Sequence, residues 1–500
     1  MAYVIGIDLG TGSVKALLVD KKGQTIIEKA KEYPLIHKQS GYSEQDPHEW
    51  VQKTADVLRE LVQDFKGNVS EIEGISFSGQ MHGLVLLNEK QEVLRDAILW
   101  NDTRTSEQCR QIYELAGKAT LLEITKNPAL EGFTLPKLLW VQQHEPDLFK
   151  KASVFLLPKD YLRYRMTGKI NSEYSDAAGT LLLDVANKQW SEEICRLTGI
   201  DKNLCPPLVE SHAFVGELTE SFAKETGLSA KTKVFAGGAD NACGALGSSI
   251  LSEGKTLCSV GTSGVILAYE KSGDRDFGGK VHYFNHASEN AYYTMGVTLS
   301  AGHSLTWFRD TFANGETMDS LLEGLDNVPA GSNGLLFTPY LSGERTPHPD
   351  SNIRGSFIGM DASHTRIDFT RAVVEGITFS LNESIEIFRH NGQEIKEIIS
   401  IGGGAKNDIW LQIQADIFNA AIIKLKSEQG PANGAAMLAA YGCGWFTSWE
   451  ECAEVFVSYK EVYEPIPENV ERYRQLFEAY KKIYSQTKDI SERLMDYRQK

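Results

Sequence analysis

Apolar residues open the chain in short runs. "YVIGIDLG", "VKALLVD" and "TIIEKAKEY", within residues 3 to 33, read as three strands joined by "TGS" and "KKGQ". The glycines at those joints permit tight turns, so the spacing predicts a meander of hairpins. The period then changes. "DPHEWVQKTADVLRELVQDF" repeats apolar residues at helical spacing, with Asp46 as N-cap and Pro47 as first helical residue. A strand, "IEGISFSG", follows, breaks at "QMHG" and resumes as "LVLLNE".

From Gly254 the pattern begins again. "GKTLCSVGTSGVILAYE" repeats the opening layout of strand, small-residue turn and strand, and "IKEIISIGGGAKNDIWLQIQADIF" echoes "IEGISFSGQMHG". Two halves that open alike suggest duplication. At 500 residues the chain is long for one core, and two domains of roughly 200 to 250 residues are expected. The boundary falls near 245 to 255, after "GGADNACGALGSSI", giving domains at 1–246 and 247–500. Near the end, Tyr473, Phe477, Tyr480 and Tyr484 recur at helical spacing, and this stripe reads as a core face.

A hydrophobic fraction of 42% and a charged fraction of 24% suit an ordinary folded protein. The formal net charge of −16, without any basic block, argues against a nucleic-acid surface. A nucleotide site remains compatible with it where backbone N–H groups hold the phosphates. No apolar run reaches the length of a membrane span, and the N-terminus has no signal-peptide pattern. The seven cysteines are scattered without a C-x-x-C pair, which fits neither zinc nor a disulfide framework and suits a reducing, cytoplasmic setting.

The glycine-rich turns carry the candidate chemistry. "DLGTGSVKALLVD" lacks both the P-loop and the full dinucleotide fingerprint. It reads as a hairpin tip where backbone amides and the hydroxyls of Thr11 and Ser13, either side of Gly12, can approach an anion. A tight hairpin alone would need the same small residues. Asp8, a carboxylate ending an apolar strand beside that tip, is better placed to hold a hydrated Mg²⁺ than to pack. "VGTSG", with Thr262, offers a second tip, and two facing tips would clasp a polyphosphate between the domains. In "IGGGAKND", Gly402, Gly403 and Gly404 leave room for a flat group that Asn407 could bond. Asp240, in "KVFAGGADNACGALG", is either a helix N-cap or a general base kept ionised by the helix terminus. His82, with Met81 between Gly79 and Gly83, is either a satisfied polar residue or a ligand contact.

"SGQMHG", "ILWNDTR", "LLPKDYLRYRMTG", "SDAAGT", "GGADNACGALG", "GTSGV" and "PYLSGERTPH" occur in this order. Together they resemble the FGGY carbohydrate kinase family of the actin, Hsp70 and hexokinase superfamily, over nearly the whole chain. The resemblance is nearest to members acting on D-xylulose. It implies an α/β fold of two ribonuclease-H-like domains with a catalytic cleft between them, and ATP-dependent phosphorylation of the sugar. It implies Asp240 as general base, Asp8 as the carboxylate that positions Mg²⁺, and Met81, His82 and Asn241 as sugar contacts. Trp100, Asn101 and Asp102 would line or support that pocket. Thr11, Gly12, Ser13, Thr262, Gly302, Gly403, Gly404 and Asn407 would meet the nucleotide. Thr-Gly-Ser in the first tip and Val260 before the second depart slightly from the family pattern but keep small, amide-rich tips. The partners expected are a small sugar and ATP, with neither nucleic acid nor membrane; a homodimer is left open by the sequence.

Overall fold

The computed structural model describes residues 2–498. Strand Tyr3–Leu9 pairs antiparallel with Ser13–Asp20, which pairs antiparallel with Thr25–Glu32, and the predicted meander forms as read. The helix Pro47–Asp64 follows, with the Asp46 side chain accepting the His48 N–H. It carries the chain back so that Ile72–Gly79 lies parallel to Tyr3–Leu9. Both strands are buried almost throughout, as a parallel pair covered on both faces must be. Lys233–Phe235 adds in parallel and Phe214–Glu217 antiparallel at the edge.

The second half repeats this ladder. Gly254–Val260 pairs antiparallel with Gly264–Glu270, which pairs antiparallel with Tyr292–Thr298; Ile395–Gly402 and Ala421–Leu425 add in parallel, and Tyr459–Tyr463 closes the edge antiparallel. Strand order and direction therefore match between the sheets. Among the described residues each sheet also has one strand the other lacks, Gly238–Ala239 beside Ile72–Gly79 in the first and His282–Asn285 beyond Tyr292–Thr298 in the second.

The halves are interlocked. Helix Pro431–Gly442, a run of small residues, lies against the first sheet and against helix Asp240–Gly247. A Cβ at Gly434 would fall 1.9 Å from the Cys243 carbonyl oxygen, and one at Gly6 would fall 2.2 Å from that of Ala432. These backbones touch where no side chain fits. The aromatic stripe lies in helix Pro467–Met495, where Tyr473, Phe477 and Tyr480 are buried and Tyr484 donates to Asp350 at 3.1 Å. Among the described residues no helix is long and apolar enough to cross a membrane.

Candidate active site

The register of the first sheet gathers the main candidates at one edge. Ser78 lies opposite Asp8 on one side and Gly238 on the other, and Gly79 lies opposite Leu9 and Ala239. Asp8 and the start of helix Asp240–Gly247 thus flank the C-terminal end of Ile72–Gly79, two strand spacings or roughly 10 Å apart. In open α/β sheets that end of the strands is the usual ligand crevice.

Asp240 is not an N-cap. Ala239 holds that position and makes no side-chain cap bond, while Asp240 is the first residue of the helix. Its Oδ1 accepts the backbone N–H of Asn241 at 2.7 Å and the Asn241 amide at 2.9 Å. Burial, and then the charge of Asp8, push its pKa up to about 7, against a smaller opposing pull from Asn241. A carboxyl tuned to that range is suited to accept a proton near neutrality. Burial also raises the pKa of Asp8, opposed by the Ser78 hydroxyl and Lys15.

Asp8 Oδ1 is buried without a hydrogen-bond partner, which suits a cation. No cluster of three or more His, Cys, Asp or Glu able to hold a metal exists among the described residues. One carboxylate without a protein cage fits Mg²⁺, which keeps waters and takes its other ligands from phosphates.

The turn after Ile72–Gly79 owes its shape to His82, not to its glycines. His82 has φ 69°, whereas Gly79 and Gly83 lie outside the left-handed region. The glycines are needed for close packing instead: a Cβ at Gly79 would meet Lys159 at 2.7 Å, and one at Gly83 would meet Pro158 at 2.5 Å. A left-handed non-glycine costs roughly 1–2 kcal/mol. The Thr134 hydroxyl and the Lys137 ammonium donate to the His82 carbonyl at 3.0 and 2.9 Å. Two such bonds at roughly 0.5–1.5 kcal/mol each are enough to offset it.

The ring is oriented as well. His82 Nδ1 sits 2.6 Å from the Gly179 carbonyl oxygen, so the proton belongs on Nδ1 and Nε2 is left as an acceptor. The ring packs 4.6 Å from Phe133 and 6.1 Å from Phe284, the latter from the second half. Burial pulls its pKa down to about 3, against the Gly179 bond, so it stays neutral. Met81 is buried and lies 3.6 Å from the Asn241 amide. Asp240, Asn241, Met81 and His82 therefore form one continuous wall.

Gly179 is an exacting neighbour. A Cβ there would lie 2.7 Å from His82 Nδ1 and 3.1 Å from the end of Met81. Gly179→Ala should force the imidazole off its rotamer at about 0.5–1.5 kcal/mol. The expected result is a KM for the sugar raised by up to about tenfold, with the KM for ATP unchanged; initial-rate kinetics check both.

The first hairpin tip is tied to this wall. Thr11 Oγ1 accepts the Trp100 indole N–H at 2.8 Å, and its carbonyl accepts the Gln45 amide at 2.6 Å; Gln80 donates in turn to Gln45 at 3.1 Å. Trp100, 41% exposed, thus braces the tip, and Gly12 lies exposed at its apex beside Ser13. Asp102 makes no hydrogen bond to the wall. It is buried with its carboxylate committed to Arg104, at 2.7 and 2.9 Å, and to the Ser43 N–H, which leaves no oxygen for a sugar. Asn101 is exposed beside it.

In the second half, Thr262 lies exposed on its tip, and its carbonyl accepts the N–H groups of Ala301 and His303 at 3.0 and 3.1 Å. Gly302 starts helix Gly302–Phe312 against that tip, where a Cβ would meet the Gly261 carbonyl oxygen at 2.5 Å. The triple glycine is only partly free for a ligand. Cβ atoms at Gly402 and Gly404 would collide with Val260 at 2.7 and 2.8 Å, while Gly403 is exposed. Asn407 caps helix Asp408–Phe418, its Oδ1 accepting the Trp410 N–H at 2.9 Å.

The family models for carbohydrate kinases match both halves. The N-terminal domain of the FGGY family covers residues 3–247 and the C-terminal domain covers 256–443. The chain belongs to the FGGY family of carbohydrate kinases. It is 61% identical to the xylulose kinase of Bacillus subtilis (strain 168) over the full length of both chains. Its fold superposes on the ligand-bound xylulose kinase of Lactobacillus acidophilus with a TM-score of 0.92, at 30% identity over 97% of this chain and 98% of that one. A gluconate kinase from the same organism superposes equally well, with a TM-score of 0.92 at 29% identity and the same coverage. Backbone shape in this family therefore does not choose the sugar. As an FGGY kinase the chain transfers phosphoryl groups from ATP.

Gln45, Gln80, Lys137 and Gly179 also shape the site. Gln80 and Gly179 fall inside "SGQMHG" and "SDAAGT", and Lys137 is a lone lysine within the helical run "TLPKLLWV", whose side chain is fully buried and whose pKa burial lowers to about 7; Gln45 carries no signal of its own in the sequence.

Proposed function

We propose that this FGGY kinase phosphorylates D-xylulose on its terminal hydroxyl, giving D-xylulose 5-phosphate, with Asp240 as general base. The observation that carries the reading is the wall itself, a buried carboxyl with its pKa raised to about 7 joined through Asn241 and Met81 to a neutral, oriented imidazole. The 61% identity to a xylulose kinase over the full chain names the sugar.

Phosphoryl transfer depends on alignment and electrostatics more than on covalent chemistry. Asp240 takes the proton of the attacking C5 hydroxyl as it approaches the phosphorus. His82 Nε2 accepts a hydrogen bond from a hydroxyl toward the other end of the sugar, which fixes its orientation, while Met81 gives an apolar wall. The two hairpin tips, with Thr11, Gly12 and Ser13 on one and Thr262 on the other, hold the phosphates through backbone N–H groups. The exposed Gly403 and the Asn407 amide lie beside the adenosine, with Gly404 packed behind them on Val260. Asp8 would hold Mg²⁺, which would supply positive charge to offset that on the moving group. Closure of the two halves excludes water as a rival acceptor.

The test is ADP release across D-xylulose, D-ribulose, glycerol and D-gluconate. The expected result is sugar-dependent release with D-xylulose well above the others. Turnover with D-ribulose, glycerol or D-gluconate and none with D-xylulose would overturn the sugar assignment and leave the family intact.

A further inference from the structure

Two of the family-like segments, "LLPKDYLRYRMTG" and "SDAAGT", supply no group to the wall, yet they meet directly behind it. Lys159 is fully buried, with Nζ 2.9 Å from Asp160, 3.1 Å from Glu173 and 3.0 Å from Asp176. Arg163, equally buried, pairs with Asp160 at 2.9 Å and donates to the carbonyl of Ala236. Taking such charges out of water costs several kcal/mol per ion, and well-packed apolar residues often serve stability as well or better. A role in position explains the cluster better than a role in stability.

Its hydrogen bonds lead to the base. Glu173 accepts the Ser175 hydroxyl at 2.8 and 2.9 Å and the Ser211 hydroxyl at 2.7 Å. The Ser175 oxygen accepts the backbone N–H of Ala239, the residue before Asp240, at 2.9 Å. In the same short segment the Gly179 carbonyl holds the His82 ring at 2.6 Å. The stretch 173–180 therefore touches both ends of the wall, the base through Ser175 and the imidazole through Gly179. Lys159 adds a third tie, since its side chain packs where a Cβ of Gly79 would be.

We infer that Ser175, oriented by Glu173, is a positioning residue for Asp240, setting where the base sits relative to a sugar held at His82. The inference rests on Asp240 being the base. Helix Asp240–Gly247 begins without a side-chain cap, so the bond to Ala239 anchors its first turn. Losing that bond leaves the base in the site but free to shift, and misplacement by about 1 Å costs up to about 10²-fold in rate.

The experiment compares kcat and KM for D-xylulose and ATP in Ser175→Ala, Ser175→Thr and Glu173→Gln, beside Asp240→Asn. The expected result for Ser175→Ala is kcat lowered about tenfold, with both KM values within about twofold of wild type. Ser175→Thr, which keeps the hydroxyl, should recover most of the loss. Glu173→Gln keeps the packing and should lower kcat in the same way, which serves as the second reading if the added methyl of threonine prevents folding. A kcat within about twofold of wild type in both Ser175→Ala and Glu173→Gln, or a joint rise of both KM values, would overturn the inference. Near-normal turnover in Asp240→Asn would instead overturn the assignment of the base, and the positioning role with it. Loss in Asp240→Asn with Ser175→Ala and Glu173→Gln intact removes the positioning role alone.

Discussion

Asp240→Asn is expected to lower kcat for D-xylulose by about 10³-fold, within the range that a positioned general base contributes, while ATP still binds. Asparagine keeps the shape of the side chain but cannot take a proton. The nucleotide contacts proposed above lie on the hairpin tips and in the second half, so titration calorimetry with ATP should give an unchanged affinity. Near-normal kcat would take the role of base from Asp240. The same carboxyl should govern the pH profile. Its pKa is raised from 3.8 to about 7 by burial and by the charge of Asp8, and only the ionised form accepts a proton. Activity should therefore rise with pH through about 7 and be lost below it, read as the acid limb of kcat/KM. An acid limb near 4 would mean that Asp240 is ordinary.

Asp8→Asn is the second large effect, with an expected loss in kcat of about 10²–10³-fold, the scale of removing one preorganised electrostatic contact from a phosphoryl-transfer site. The buried, unpartnered Oδ1 is the atom at stake, since an amide oxygen is a far weaker ligand for a hard cation. The loss should come with a higher Mg²⁺ concentration for half-maximal rate. Asp8 is also one of the two causes that raise the Asp240 pKa, so the acid limb should move to lower pH in this variant. A full rate at unchanged Mg²⁺ dependence would remove Asp8 from the metal site.

Much of this was legible in the sequence wherever local chemistry sets the structure. The three opening strands and their repeat after Gly254 could be read because small residues at the tips and apolar strands between them leave few alternatives. Asp46 and Pro47 marked the start of the first long helix for the same kind of reason. Tyr473, Phe477 and Tyr480 gave a buried stripe because helical spacing puts them on one face. Asp8 and Asp240 stood out as carboxylates among glycines.

The rest depends on contacts between residues far apart in the chain. The left-handed backbone of His82 was hidden by the two glycines beside it, which would ordinarily be the bend. Its stability comes from Thr134 and Lys137, more than fifty positions away. Asp102 looked like a pocket residue within "WNDTR", yet Arg104 two positions on takes its carboxylate into a buried ion pair. Gly402 and Gly404 suggested room for adenosine, where the space belongs to Val260. Ser175 and Gly179 are plain small residues in sequence, and only the fold brings them behind Asp240 and His82.

The most direct measurement is a crystal structure of the protein with D-xylulose and a non-hydrolysable ATP analogue. The C5 hydroxyl should lie within about 3 Å of the Asp240 carboxylate, with a hydroxyl from the other end of the sugar donating to His82 Nε2. A sugar bound with its C1 end at Asp240, or seated away from the Met81 and His82 turn, would contradict this placement.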